Sequence, residues 1–333
     1  MLNRQIVLIA RPHGIPQPHH FEMRTADVPA VAPGQMLVEN VLLSIDPAQR
    51  GYVNDESNYT PPVAIGQVMR SLAVGRVAAS NHPGFSAGEY VYGWFGWQDY
   101  CACGAEAVLR RANPRQASLP MAAGVLGING LTAHIALSEL GAPKPGETVV
   151  VTAGAGAVGS LVGQLASLAG CRAIAIVGSE EKGRQCLEKF SFAGYINYRR
   201  PWTDALRHEC PNGVDVFFDN VGGDLLDGVL RCMNPCGRVI ICGTLATTSW
   251  IPAPTGLRNE REILTRRLRV AGFVIFDHTS KFDEVAEKLA QLLAQGKLRA
   301  EVDIETDIEG APQALVDVYA GRNRGKKLIC LRD

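Results

Sequence analysis

Neither sign of charge is in excess here: 33 Lys and Arg stand against 33 Asp and Glu over 333 residues. A chain without such an excess draws in no polyanion over long range. That argues against a nucleic acid or an anionic membrane surface as its main partner. Long apolar runs are also missing, and none approaches the roughly 20 residues that cross a bilayer. The opening MLNRQIVLIARPHG holds one short apolar stretch before Arg11, too short for the core of a secretory leader, and reads as a first strand. A cytoplasmic protein is the expectation. No Cys-x-x-Cys pair occurs among the nine cysteines. Their number is odd and their spacing irregular. Cys242 in GRVIICG and Cys330 in KKLICL sit in apolar, strand-like runs, the setting of buried free thiols. Cys101 and Cys103 alternate, so on a strand they face one way, yet they offer two ligands where structural zinc usually takes four. The seven histidines fall into no constellation with Ser and Asp. No internal repeat or low-complexity segment appears.

Hydrophobic residues make up 47% of the chain and charged ones 20%, enough apolar material for the cores of two domains or one large one. Over the first 120 or so residues, short apolar runs (5–10, 36–44, 72–79, 89–92) alternate with Pro and Gly clusters such as RPHGIPQP and NHPGFSAG. These are strand and turn signals suited to a small barrel or sandwich. Near residue 122 the character changes. AAGVLGINGLTAHIALSEL reads as helical and GAPKPGE as a turn. Strands TVVVTA, CRAIAIVG, GVDVFFDNV, GRVIICG and LRVAGFVIF follow, with helices AVGSLVGQLASLAG, SEEKGRQCLEKF and DLLDGVLRCM between them. Such alternation predicts a parallel sheet covered on both faces. After the amphipathic FDEVAEKLAQLLAQG, the β-like EVDIETDI and KKLICLRD predict a tail that completes the first module.

The strongest local signal is GAGAVG, with Gly154, Gly156 and Gly159, directly after the strand TVVVTA and opening a helix. The glycines serve a tight turn, a close backbone approach to a pyrophosphate, and close helix–strand packing. The helix start supplies N–H groups and a positive dipole end. A dinucleotide is therefore the expected ligand. An NAD site usually carries an acid at the end of the second strand. Here that position is Gly178, followed by Ser179 and Lys182, which can donate to a 2′-phosphate, so NADP is favoured. Glu180 and Glu181 complicate this reading, either as first-turn residues suited to the helix dipole or as a reach toward the ribose.

These segments, with LLSIDPAQRG, GVLGINGLTAH and GRNRGKKLI, resemble the zinc-independent medium-chain dehydrogenase/reductase family, in its prostaglandin/leukotriene reductase branch. RPHGIPQP, NDESNYTPPV and GWQDY are similar to its bacterial curcumin-reductase members. The resemblance spans nearly the whole chain. It implies an α/β protein with a GroES-like β-rich catalytic domain (1–121 and 300–333), a doubly wound Rossmann domain (122–299), and an active site in the cleft between them. It also implies NADPH as cofactor, an enone or enal as substrate, and a homodimer. On that resemblance Gly156, Ala157, Val158 and Gly159 hold the pyrophosphate, and Lys182 and Tyr198 the 2′-phosphate. Asn220, Cys242, Gly243, Thr244, Phe273, Val274, Ile275 and Asn323 line the rest of the cofactor. Zinc-dependent relatives carry a Cys ligand and a Gly-His-Glu motif in the N-terminal half. The matching stretch here reads IGQVMRSLAVGRVAAS, with neither, so metal-assisted alcohol oxidation is not the default chemistry.

Reduction of an enone adds hydride at the β-carbon and a proton at the α-carbon, while negative charge builds on the carbonyl oxygen and calls for a hydrogen-bond donor. Many family members read D-P-Y-M-R where this chain reads Asp46-Pro47-Ala48-Gln49-Arg50, and many carry a Tyr near Phe276. Neither tyrosine is present. Tyr59, which matches a curcumin-reductase Tyr, and Tyr52 are the remaining candidate donors, beside the cofactor ribose and water. A quinone reductase of the same superfamily and a non-catalytic NADPH-binding sensor remain as rival readings.

Overall fold

The computed structural model describes residues 2–55, 59–247, 249, 250 and 252–332. Residues 56–58 of the NDESNYTPPV motif lie outside them. The chain divides into two compact units: 1–127 with 302–333, and 128–301.

In the first unit, β1 (Leu2–Leu8) pairs antiparallel with β2 (Phe21–Asp27). A larger sheet contains β3 (Met36–Ile45), β4 (Leu72–Ser80), β5 (Tyr90–Trp94), β6 (Tyr100–Cys103) and β7 (Val108–Ala112). Two short helices belong to this unit, α1 (Gln49–Tyr52) and α2 (Leu119–Ala123). Small and β-branched residues on β4 allow close strand packing. At Gly75 a Cβ would stand 2.9 Å from the Glu39 carbonyl oxygen. The core holds Leu8, Met36, Val38, Leu43, Met69, Val91, Phe95 and Trp97, all at most 1% exposed.

The second unit opens with α3 (Ile128–Ala136). The expected long helix around residues 122–140 is thus broken at Gly124–Gly127. A Cβ at Gly127 would lie 2.6 Å from the Ala123 carbonyl oxygen, so close packing replaces helical continuation there. Six parallel strands follow: β8 (Thr148–Thr152), β9 (Arg172–Val177), β10 (Gly194–Asn197), β11 (Val214–Asp219), β12 (Met233–Ile241) and β13 (Arg269–Gly272). Between them run α4 (Gly159–Leu168), α5 (Glu180–Lys189), α6 (Thr203–Glu209), α7 (Gly223–Leu230) and α8 (Glu260–Arg266), and α9 (Phe282–Ala294) comes last. All five residues of β8 are buried, as a strand covered on both faces requires. The sheet order is β10-β9-β8-β11-β12-β13, the doubly wound 3-2-1-4-5-6 arrangement. The expected strand LRVAGFVIF ends early. Pairing stops at Gly272 and a 3-10 helix runs from Ile275 to Lys281.

The chain then returns to the first unit with β14 (Val302–Thr306), α10 (Ala311–Tyr319) and β15 (Lys326–Cys330). β15 pairs antiparallel with Leu42–Ile45 of β3, and β14 lies parallel to β15. The nine cysteines are free thiols, four of them buried. No helix among the described residues is long and apolar enough to cross a membrane.

Candidate functional site

Open α/β sheets bind ligands beyond the carboxyl ends of their strands, where the strand order reverses. In the second unit that point lies between β8 and β11. The Thr152 hydroxyl donates to the Asp219 carboxylate at 2.8 Å and accepts from the Asn220 N–H at 2.7 Å. The Asn220 Nδ2 donates to the Thr152 carbonyl at 2.8 Å. Asp219 is fully buried and also accepts from the Val221 and Gly222 N–H groups. Burial pushes its carboxyl pKa up, and these donors act against that shift. Thr152 and Asp219 were not singled out in the sequence, where they look like ordinary ends of apolar strands. The Asn220 amide donates to the backbone between the two strands, so part of its role is to shape this end of the sheet.

The GAGAVG turn follows β8. Ala153 takes a left-handed φ of 52°, and the Gly156 N–H returns to its carbonyl at 2.8 Å. A Cβ on Gly159 would lie 2.3 Å from that same carbonyl, and one on Gly154 would lie 2.6 Å from the Ala175 Cβ. Only glycine lets α4 start so close to the strand end. Gly156, Ala157 and Val158 are partly exposed on the outer side of the turn. Among the described residues the N–H groups of Ala157, Val158 and Gly159 have no acceptor, the ordinary state of a helix start and one suited to an anion.

At the end of β9, Ser179 caps α5, its hydroxyl oxygen accepting the Lys182 N–H at 3.2 Å. Gly178 lies under the Tyr198 ring, where a Cβ would stand 3.1 Å from the Tyr198 hydroxyl. Lys182 is half-buried. Burial first, and then the neighbouring Arg199, lower its pKa. Glu180 faces another way. It accepts from the Tyr195 hydroxyl at 2.7 Å and from Asn197 at 2.9 Å, and lies 3.4 Å from Arg200. Those hydrogen bonds, Asn197 before Tyr195, hold its carboxyl below the usual range. A carboxylate committed in this way is a structural strut rather than a reach toward the ribose. Arg199 was missed there because an Arg-Arg pair after a strand reads as solvated surface.

The remaining expected residues divide between the units. The Cys242 and Gly243 N–H groups donate to the Asp219 carbonyl at 2.8 and 3.1 Å, and a Gly243 Cβ would meet the Asn220 carbonyl at 2.6 Å. Thr244 follows, exposed. The Phe273 N–H donates to the Ile241 carbonyl at 3.0 Å, and its ring stacks on His278 at 4.9 Å between centroids. Val274 precedes the 3-10 helix that begins at buried Ile275 and contains Phe276. All of these belong to the second unit. Asn323, which bonds the Gly325 carbonyl at 2.7 Å, belongs to the first.

The first unit also holds both candidate donors. Tyr52 is 3% exposed and Tyr59 is 50% exposed. Their rings meet edge to face at 6.5 Å and 85°. Trp94 packs on Tyr52 at 6.0 Å, and the Arg70 guanidinium lies 5.6 Å from the Tyr52 ring centroid. Arg70 also donates to the Thr60 hydroxyl at 2.8 Å and to the Pro61 carbonyl at 2.5 Å. Tyr319, which sequence reasoning passed over, donates its hydroxyl to the Pro47 carbonyl at 2.9 Å. Burial raises its pKa. Beneath the 46–50 turn, Lys326 Nζ is 2.6 Å from Asp46 Oδ1 and 2.9 Å from the Ile45 carbonyl, with both side chains buried. Among the described residues no group of three or more His, Cys, Asp or Glu is placed to hold a metal ion.

The description "N-terminal domain of oxidoreductase" matches residues 4–110, and "Zinc-binding dehydrogenase" matches 157–292. NADPH-dependent curcumin reductase of Escherichia coli is 37% identical, with 98% of this chain and 96% of that protein covered. The NADP-dependent 2-alkenal reductase of Nicotiana tabacum is 33% identical, with 98% and 97% covered. The crystal structure of CurA from Vibrio vulnificus in complex with NADPH superposes with a TM-score of 0.92 at 37% identity, covering 99% of each chain.

Proposed function

This chain belongs to the zinc-independent medium-chain dehydrogenase/reductase family, and on that premise we propose that it reduces the C=C bond of α,β-unsaturated ketones or aldehydes with NADPH. The observation that carries the cofactor half is the end of β9. Gly178 leaves no acid for a ribose hydroxyl, Glu180 is engaged elsewhere, and Lys182, Arg199 and Ser179 gather donors there. That donor set fits a 2′-phosphate. The cradle of N–H groups at Ala157 to Gly159, walled by glycines, fits a pyrophosphate.

Bound NADPH supplies the hydride that the β-carbon of the substrate takes up. The residues of this chain have three tasks. Lys182, Arg199, Ser179 and Tyr198 hold the phosphate end. Gly243 and the Thr152–Asp219–Asn220 network keep the strand ends open to close backbone approach. The half-exposed Tyr59 hydroxyl donates to the carbonyl oxygen of the substrate, where negative charge develops. The protein acts as a cytoplasmic homodimer in this reading. The exposed edge strand β13, with Val270 44% exposed, supports pairing with a second copy.

The test is a panel of enones, enals and quinones, with NADPH oxidation as readout. Turnover of enones or enals above quinones supports the proposal. Turnover of quinones alone overturns it, and NADPH binding without turnover of any of them marks a sensor.

A further inference from the structure

Tyr59 is half exposed, and residues 59–63 belong to no helix or strand. Pro61 and Pro62 restrict the φ angles of this segment and give it no N–H of their own to bond with. A stretch without a backbone ladder keeps one shape only where outside groups hold it. Two anchors do so here. The Val63 N–H donates to the Tyr52 carbonyl at 2.7 Å. Nearer to Tyr59, one nitrogen of Arg70, Nη1, donates to the Thr60 hydroxyl at 2.8 Å and to the Pro61 carbonyl at 2.5 Å. The same guanidinium lies 5.6 Å from the centroid of the Tyr52 ring, against whose edge the Tyr59 ring packs. Arg70 is itself well rooted. The Met69 N–H donates to the Ile6 carbonyl at 2.9 Å, the buried Gln49 amide to the Arg70 carbonyl at 3.4 Å, and the buried Ser71 hydroxyl to the Ser44 carbonyl at 2.7 Å.

We infer that Arg70 is a positioning residue for Tyr59: it fixes the two residues that follow Tyr59 and so sets where the Tyr59 hydroxyl stands. With the φ angles of Pro61 and Pro62 already restricted, bonds at Thr60 and Pro61 leave the backbone at Tyr59 little freedom. Both bonds come from a cation, and such bonds are roughly twice as strong as neutral ones. A donor to developing charge works only while it is held in place before the reaction begins. Arg70 therefore acts through Tyr59 and not on the substrate. This inference rests on the reading of Tyr59 as the donor to the substrate carbonyl.

The experiment is a double-mutant cycle of Arg70→Gln and Tyr59→Phe, with kcat and KM on one enone and NADPH affinity by fluorescence titration. Arg70→Gln removes both bonds and the charge. It lowers kcat on the order of tenfold, the effect of a misplaced group rather than a missing one. KM for the enone and NADPH affinity stay nearly constant, because the loss falls on the transition state alone. In the Tyr59→Phe background the same change costs nothing further, since no hydroxyl is left to position. Thr60→Val keeps the shape of the side chain and removes the hydroxyl at the far end of one bond. It lowers kcat about threefold, and it decides alone where Arg70→Gln does not fold. Arg70→Lys regains part of the loss, because a single nitrogen makes both bonds and an ammonium carries donors for the two. If Tyr59→Phe slows turnover but Arg70→Gln or Thr60→Val keeps the wild-type kcat, the inference is overturned and the Tyr59 reading stands. An Arg70→Gln loss that adds in full to that of Tyr59→Phe places Arg70 outside this role and overturns it too. Wild-type turnover in Tyr59→Phe overturns the underlying reading and the inference with it.

Discussion

Lys182 and Arg199 stand close enough at the end of β9 for each to repel the other, on top of the burial that already lowers the Lys182 pKa. A dianionic phosphate between them relieves that repulsion. Lys182→Ala therefore weakens NADPH binding by about 1.5–3 kcal/mol, the range for a charge-assisted contact. NADH binding changes little. Fluorescence titration with both cofactors checks this, and an equal loss for the two would remove Lys182 from the phosphate site. Tyr59→Phe deletes a hydroxyl and keeps a ring. If it acts on developing charge, kcat falls on the order of 10²–10³-fold while NADPH affinity holds. Steady-state kinetics on the preferred enone decide it. The tight turn built on the three glycines was legible because their spacing after a strand carries it. Tyr319 was not, since its value lies in reaching the Pro47 carbonyl 272 positions away. Glu180 could not be resolved by spacing either, because its partners sit on the next strand, at Tyr195 and Asn197.

Among the elements, the β8–turn–α4 unit tolerates least. Gly159→Ala would drive a methyl into the Ala153 carbonyl at 2.3 Å, against backbone that cannot swing aside. Such overpacking costs about 1–3 kcal/mol. α4 must then move off the strand end, so the variant loses NADPH affinity along with stability. A lowered urea midpoint and a weaker titration, read together, check this. Gly156→Ala, with 3.1 Å to the same carbonyl, is milder. The strands β8, β9 and β11 were legible because each is a short apolar run with nearly every residue buried, and of β12 only the half from Gly237 to Ile241 comes near that signature. Elements without that signature escaped notice. β10 has four residues with alternating burial, α8 buries none of its residues, and α10 carries Pro312 in its first turn. The early end of β13 was hidden for a similar reason. FVIF is apolar enough for a strand, yet the chain turns to bury Ile275.

On the scale of the whole molecule, the first unit is made of two distant stretches of chain, and the buried Asp46–Lys326 pair ties them. Burial lowers the Lys326 pKa, and Asp46 opposes the shift. Asp46→Asn leaves that ammonium without its counter-charge and costs about 3–5 kcal/mol. The expected result is a first unit that melts well below the second, seen as a new low-temperature transition in calorimetry. A single unshifted transition would refute it. Homodimer formation is checked by sedimentation, with twice the chain mass expected. The discontinuity also sets an order of events during synthesis. Asp46 leaves the ribosome 280 residues ahead of Lys326. At typical elongation rates that gap is on the order of half a minute. Through that interval Leu42–Ile45 of β3 have no β15 to pair with, although β6 already covers Met36–Glu39. The whole second unit emerges meanwhile and can fold as one piece. The nascent chain therefore carries an unsealed strand edge for most of its translation, and slowing the ribosome anywhere between codons 46 and 326 should raise aggregation more than the same delay before codon 46.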